Sequence, residues 1–135
     1  MYIPVVASES DIVWYLRVEE RDMEGVALVA CTGRVSSRTC PELGRALASA
    51  LASPARGLVL DLSGVDYISS PGLRAVEHAS GRLAEQGRAF VVCGLQDAVS
   101  SAFTLAGLAD KLTTAASRDD AVAAAGRLDT SHNDV

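Results

Sequence analysis

The sequence predicts a single-domain α/β fold, with one mixed β-sheet of about five strands covered by about four helices. Three observations carry that prediction. Short apolar runs of strand length alternate with segments of helical periodicity. The first two runs are separated only by a turn, so the sheet opens on a hairpin before the strand–helix alternation begins. The chain has 135 residues and shows no repeat, linker or low-complexity tract, so one core is expected.

The elements follow in order β-β-α-β-α-β-α-β-α. Residues 1–11 read as an irregular N-terminal segment, 12–127 as the domain and 128–135 as a flexible tail. Trp14 to Glu19 reads as a strand, with a turn near Asp22 to Gly25. Val26 to Cys31 is a continuous apolar run suited to a central strand, ended by Gly33. From Thr39 or Cys40 to Ala52, Leu43, Leu47 and Leu51 recur on one helical face, with Thr39 as N-cap and Pro41 in the first turn. Gly57 to Leu62 is a buried strand, and Ser63 to Gly72 a loop. A second helix runs from Gly72 to Gln86, with Leu73, Val76, Ala79 and Leu83 inward and Gly87 just past its end. Ala89 to Cys93 is a strand. Ala98 to Ala106 is a helix with Val99, Ala102 and Phe103 inward, stopped by Gly107. Leu112 to Ala115 is a short strand. Arg118 to Arg127 is the last helix, with Asp119 and Asp120 at its positive end.

Composition removes several function classes. A net charge of −5 offers no basic footprint for nucleic acid or an anionic membrane. No apolar run has the length of a membrane span, and the first residues lack the basic start of a signal peptide, so a cytoplasmic protein is expected. Cys31, Cys40 and Cys93 form no C-x-x-C pair. Cys31 and Cys93 lie in apolar strands and read as inert buried thiols, so neither disulfide, metal nor cofactor is expected.

Enzyme signatures are missing too. His132 lies in the tail, and His78 points away from the apolar face of its helix, so no histidine is placed to activate a serine. Neither a Walker A nor a G-x-G-x-x-G run is present. Asp61 and Asp66 flank one loop and read as turn formers rather than an acid–base pair. Arg74 and Arg82 read as solvated.

One segment stands out: Asp61-Leu62-Ser63-Gly64-Val65-Asp66-Tyr67-Ile68-Ser69-Ser70-Pro71-Gly72-Leu73. Helix initiation alone explains its end, with Ser70 as N-cap and Pro71 at the first helical position. A functional reading also exists. A phosphate on Ser70 would sit at the positive end of a helix and add about −1.5 to −2 charges to the surface there.

This segment resembles the D-L-S-x-V-x-x-[IM]-D-S-[ST]-G-L loop of STAS domains. Gly33-Arg34-Val35 with Glu42-Leu43 resembles the family's G-x-[LIV]-D run and first helix, and Leu105-Ala106-Gly107-Leu108 its later L-x-x-[ST]-G-L-type segment. Together they cover about residues 15 to 126. The resemblance implies an anti-sigma factor antagonist: a bacterial phosphoprotein that is not an enzyme and regulates transcription through protein partners. Those partners would be an anti-sigma factor of the serine-kinase type and a resetting serine phosphatase. The resemblance makes Ser70 the phosphorylated residue, with Ser69 as the alternative, and puts Ser36, Ser69, Pro71, Gly72 and Arg74 at the partner contact. Weak homodimerisation stays open. Ser36 and Ser69 stand where the family has acidic residues, and Pro71 where a residue usually carries an N–H.

The alternative reading is a non-phosphorylated structural STAS subunit of a lipid-transport or stress-signalling complex. A small hydrolase using Ser70 is disfavoured, because no base is at hand and Pro71 lacks the N–H an oxyanion would need.

Overall fold

A computed structural model describes residues 15–133, and side chains as far as Gly126. The expectations for residues 1–11, for Trp14 as a strand start and for the last two residues of the tail lie outside the described residues. Five strands form one sheet in the order β1-β2-β3-β4-β5. They are β1 (Leu16–Met23), β2 (Val26–Val35), β3 (Gly57–Ile68), β4 (Ala89–Cys93) and β5 (Thr113–Ala115). β1 and β2 are antiparallel and the remaining neighbours parallel, the mixed sheet that the hairpin-first order predicts. The helices are α1 (Cys40–Ala52), α2 (Ser70–Glu85), α3 (Asp97–Leu105) and α4 (Arg118–Asn133).

The sheet divides the core in two. On one face Val29, Cys31, Leu58, Leu60, Phe90 and Val92 meet Leu43 and Leu47 of α1, Val76 and Leu83 of α2, and Phe103 of α3. On the other, Val26, Leu28, Val59, Val91 and Cys93 meet Ala121 and Ala125 of α4. The alternation along each strand sorts these residues between the faces. Gly87 follows the end of α2 with φ +68, and Arg88 N–H bonds back to the Leu83 carbonyl at 2.9 Å, the helix stop its sequence position predicts.

Several boundaries differ from expectation. The hairpin turn is only Glu24-Gly25, both at positive φ, so β1 continues to Met23. β2 does not end at Gly33 but continues to Val35, and β3 continues to Ile68 through the stretch expected to be a loop. Two bulges explain why. Between the pairs Ala30↔Asp61 and Thr32↔Gly64, Cys31 faces both Leu62 and Ser63; between Gly33↔Val65 and Val35↔Ile68, Arg34 faces both Asp66 and Tyr67. Each extra residue breaks the period of two, so the strand loses its alternation and looks like a loop. α4 runs on to Asn133, past the expected end at Arg127; no proline or glycine interrupts residues 128–133.

Arg88 has a role the sequence did not reveal. Its guanidinium donates to the carbonyls of Ala50, Leu51 and Ala55 at 2.9 to 3.1 Å, satisfying the end of α1, whose last turn holds no cation of its own.

Candidate functional site

The conspicuous segment lies where β3 hands over to α2. Ser69, not Ser70, is the N-cap: its backbone is extended (φ −84, ψ 169), and its hydroxyl accepts from Gly72 N–H at 3.3 Å. Ser70 is the first helical residue and Pro71 the second, one place later than expected for each. The reason is Val35. Its carbonyl takes the Ser69 N–H at 2.7 Å, which keeps Ser69 extended and lets the helix start at Ser70, one residue earlier than a Ser70 cap would allow.

This assignment separates two serines that look equivalent in sequence. Ser69 is 8% exposed and committed to the cap. Ser70 is exposed, and its hydroxyl has no hydrogen bond among the described residues. Of the first-turn amides, Pro71 has none, and those of Gly72 and Leu73 go to the Ser69 hydroxyl and carbonyl. Gly72 is buried because α2 starts hard against the sheet; a Cβ there would lie 2.7 Å from Val35 Cγ1 and 2.9 Å from Ile68 Cγ1. Pro71 is half-buried at the rim and Arg74 exposed one turn on.

Ser36 is placed differently from Arg74. It is 6% exposed, and its hydroxyl accepts from the N–H groups of Arg38 and Thr39 at 3.2 Å. Thr39 stands at the N-cap position of α1 but does not cap with its side chain; its hydroxyl donates to Arg34 O at 2.7 Å and accepts from Ser36 N–H at 2.8 Å. Together they fold the β2–α1 turn that lies beside Ser69. Ser36, Ser69 and Gly72 therefore shape the site from within, while Ser70, Pro71 and Arg74 face outward.

Two features escaped the sequence reading. Asp61 does more than form a turn. It is 4% exposed, accepts from Ser63 N–H at 2.9 Å, and pairs with Arg118 Nε at 2.9 Å. Burial disfavours its charge, but the hydrogen bonds from Ser63 and Arg118 outweigh burial and hold the carboxyl below its ordinary range. A signal existed: an aspartate inside an apolar strand, and an arginine at a helix start, where the dipole disfavours cations. The second feature is Arg34, whose Nε pairs with Asp66 at 3.1 Å while its guanidinium carbon lies 5.5 Å from the Tyr67 ring centroid. Only the second bulge brings these three together.

No group of His, Cys, Asp and Glu among the described residues could hold a metal, and no described helix is long and apolar enough to cross a membrane. A cavity of about 460 Å³ lies at the other end of the sheet, between the β1–β2 hairpin and the end of α1, lined by Glu20, Asp22, Val29 and Ser53 among others. It takes no part in the Ser70 site.

The STAS domain family matches residues 17–121, most of the chain and all of this site. The chain belongs to that family. Its similarity to BtrV of Bordetella bronchiseptica, named as an anti-sigma factor antagonist, is 33% identity over 76% of this chain and 88% of that one. Among solved structures, an anti-sigma factor antagonist from Mycobacterium paratuberculosis superposes with a TM-score of 0.77 at 27% identity, covering 83% of this chain and 95% of that one. SpoIIAA of Bacillus in its phosphorylated form shares the fold, with a TM-score of 0.62 at 11% identity, over 80% of this chain and 96% of that one. The five-stranded mixed sheet and four helices of this STAS domain are those the strand–helix order of the sequence predicts.

Proposed function

We propose that this STAS protein is an anti-sigma factor antagonist that binds an anti-sigma factor of the serine-kinase type and is released when Ser70 is phosphorylated. The observation that carries the reading is the division of labour at the start of α2. Ser69 caps the helix, so the exposed Ser70 hydroxyl serves no structural purpose. The name of BtrV supports the antagonist part of this reading.

The chemistry belongs to the partner. The Ser70 hydroxyl oxygen attacks the γ-phosphorus of ATP held by the kinase, ADP leaves, and a kinase base takes the proton. A serine phosphatase hydrolyses the ester and restores the hydroxyl. The phosphate would find few free amides on α2, because Ser69 has taken those of Gly72 and Leu73. Its effect is therefore directed outward: about −1.5 to −2 charges placed under a docked partner. Pro71 and Arg74 form the rim of that contact, and Gly72, Ser36 and Ser69 fix its shape. The regulated process is transcription, reached through a cytoplasmic protein partner rather than nucleic acid.

The test is an affinity pull-down from host lysate with the wild type and Ser70→Glu, followed by identification of the retained proteins and phosphosite mapping. Retention of an ATP-binding anti-sigma kinase by the wild type alone, with phosphate on Ser70, supports the switch. Retention of one transporter or stress scaffold by both forms would make the chain a structural subunit and Ser70 a bystander.

A further inference from the structure

Among the described residues, Tyr15 and Tyr67 are exposed large side chains, at 43% and 44%, and both lie at the Ser70 end of the sheet. They are joined through Arg34. Arg34 N–H donates to Tyr15 O at 2.8 Å, and its guanidinium lies over the Tyr67 ring. Tyr15, Arg34 and Tyr67 thus make one row across the ends of β1, β2 and β3. The row continues to Ser70, because Val35, next to Arg34, holds Ser69.

The fold maintains this exposure at some cost. The second bulge gives β3 an extra residue at this point, which turns both Asp66 and Tyr67 out to solvent opposite Arg34. Gly33 beside it is at φ +122, and a Cβ there would run into the Tyr15 backbone. Only Nε of Arg34 is engaged, by Asp66; its two terminal nitrogens have no hydrogen bond among the described residues. Tyrosine and arginine are among the residues most enriched where interfaces concentrate their binding energy, since both present large, amphipathic surfaces.

The charge around the row completes the picture. The segments 33–42 and 63–74 carry Arg34, Arg38 and Arg74 against Glu42 and Asp66, a slightly basic rim around Ser70. A phosphate of about −1.5 to −2 charges there would reverse the sign of that rim.

We infer that the Tyr15–Arg34–Tyr67 row anchors the anti-sigma factor, and that it takes an acidic surface of that partner with an apolar side chain beside the carboxylate. This rests on the reading above and deepens it. The partner's carboxylate meets the free terminal nitrogens of Arg34 and its apolar neighbour lies on Tyr67, so the row supplies affinity while Ser70 supplies control. Phosphorylation then acts by opposing an acidic partner across this rim, not only by occupying space at α2.

The experiment is calorimetry with the anti-sigma factor that the wild type retains, using Tyr67→Ala, Tyr67→Phe, Arg34→Ala and Ser70→Glu, each first shown to melt as the wild type does. Tyr67→Ala and Arg34→Ala should each weaken binding about tenfold or more, and Tyr67→Phe should bind within about twofold of wild type. Wild-type affinity should fall with added salt, and Arg34→Ala should flatten that dependence. Unchanged affinity of Tyr67→Ala and Arg34→Ala, with Ser70→Glu still abolishing binding, would overturn the row and leave the switch standing. Unchanged affinity of Ser70→Glu with weakened Tyr67→Ala would overturn the switch and support the row. Retention of no anti-sigma factor by the wild type would overturn both.

Discussion

The Val35 carbonyl and the Ser69 amide, 2.7 Å apart, join the end of β2 to the start of α2. This bond makes Ser69 the cap and leaves Ser70 free, so a sheet contact decides which of two adjacent serines is available for modification.

That division is measurable as stability. Ser69→Ala should destabilise the fold by about 1 kcal/mol through loss of the cap. Ser70→Ala should change it by less than about 0.5 kcal/mol, because its hydroxyl bonds to nothing described. Urea melts of the two variants decide the matter; the reverse order would return the cap to Ser70.

Gly72 is a packing constraint. Gly72→Ala adds a Cβ within 2.7 Å of Val35 Cγ1 and 2.9 Å of Ile68 Cγ1, neither of which has room to retreat in the core. The expected cost is about 1–3 kcal/mol. Val35→Ala in the same chain should recover part of it, which a double-mutant cycle would register as coupling.

The Asp61–Arg118 pair gives the fold an acid-sensitive contribution. The Asp61 carboxyl is held below its ordinary value of 3.8, so its charge adds stability above that value and loses it as pH falls through the folded pKa. Asp61→Asn should cost about 2–3 kcal/mol near neutrality, less than a fully buried pair because Arg118 is 35% exposed. Denaturant midpoints of variant and wild type should converge below that value; a constant gap would mean packing, not charge, is responsible.

The thiols should differ in reactivity. Burial, with the Asp61 charge adding to it, pushes both Cys31 and Cys93 up to about 12. Cys40 is only half-buried, with its thiol near Ser37 O at 3.6 Å. Mild alkylation of the native protein should add one label, at Cys40, and unfolding should release the other two sites to mass spectrometry.

Much of this architecture was legible in the chain itself. Apolar runs and four-residue leucine spacing are local patterns, and they placed the strand–helix order, the α1 and α2 core faces and the Gly87 stop without knowledge of any distant contact. The Ser70 segment was legible in the same way, because strand, turn and cap residues follow one another in sequence. Tertiary structure alone decided the rest. The bulged end of β3, the commitment of Ser69 by Val35, the Arg34–Asp66–Tyr67 cluster and the Asp61–Arg118 pair all depend on register between residues 31 to 57 positions apart. A bulge hides the strand period that would announce it, and a hydrogen bond between distant strands leaves no local periodicity.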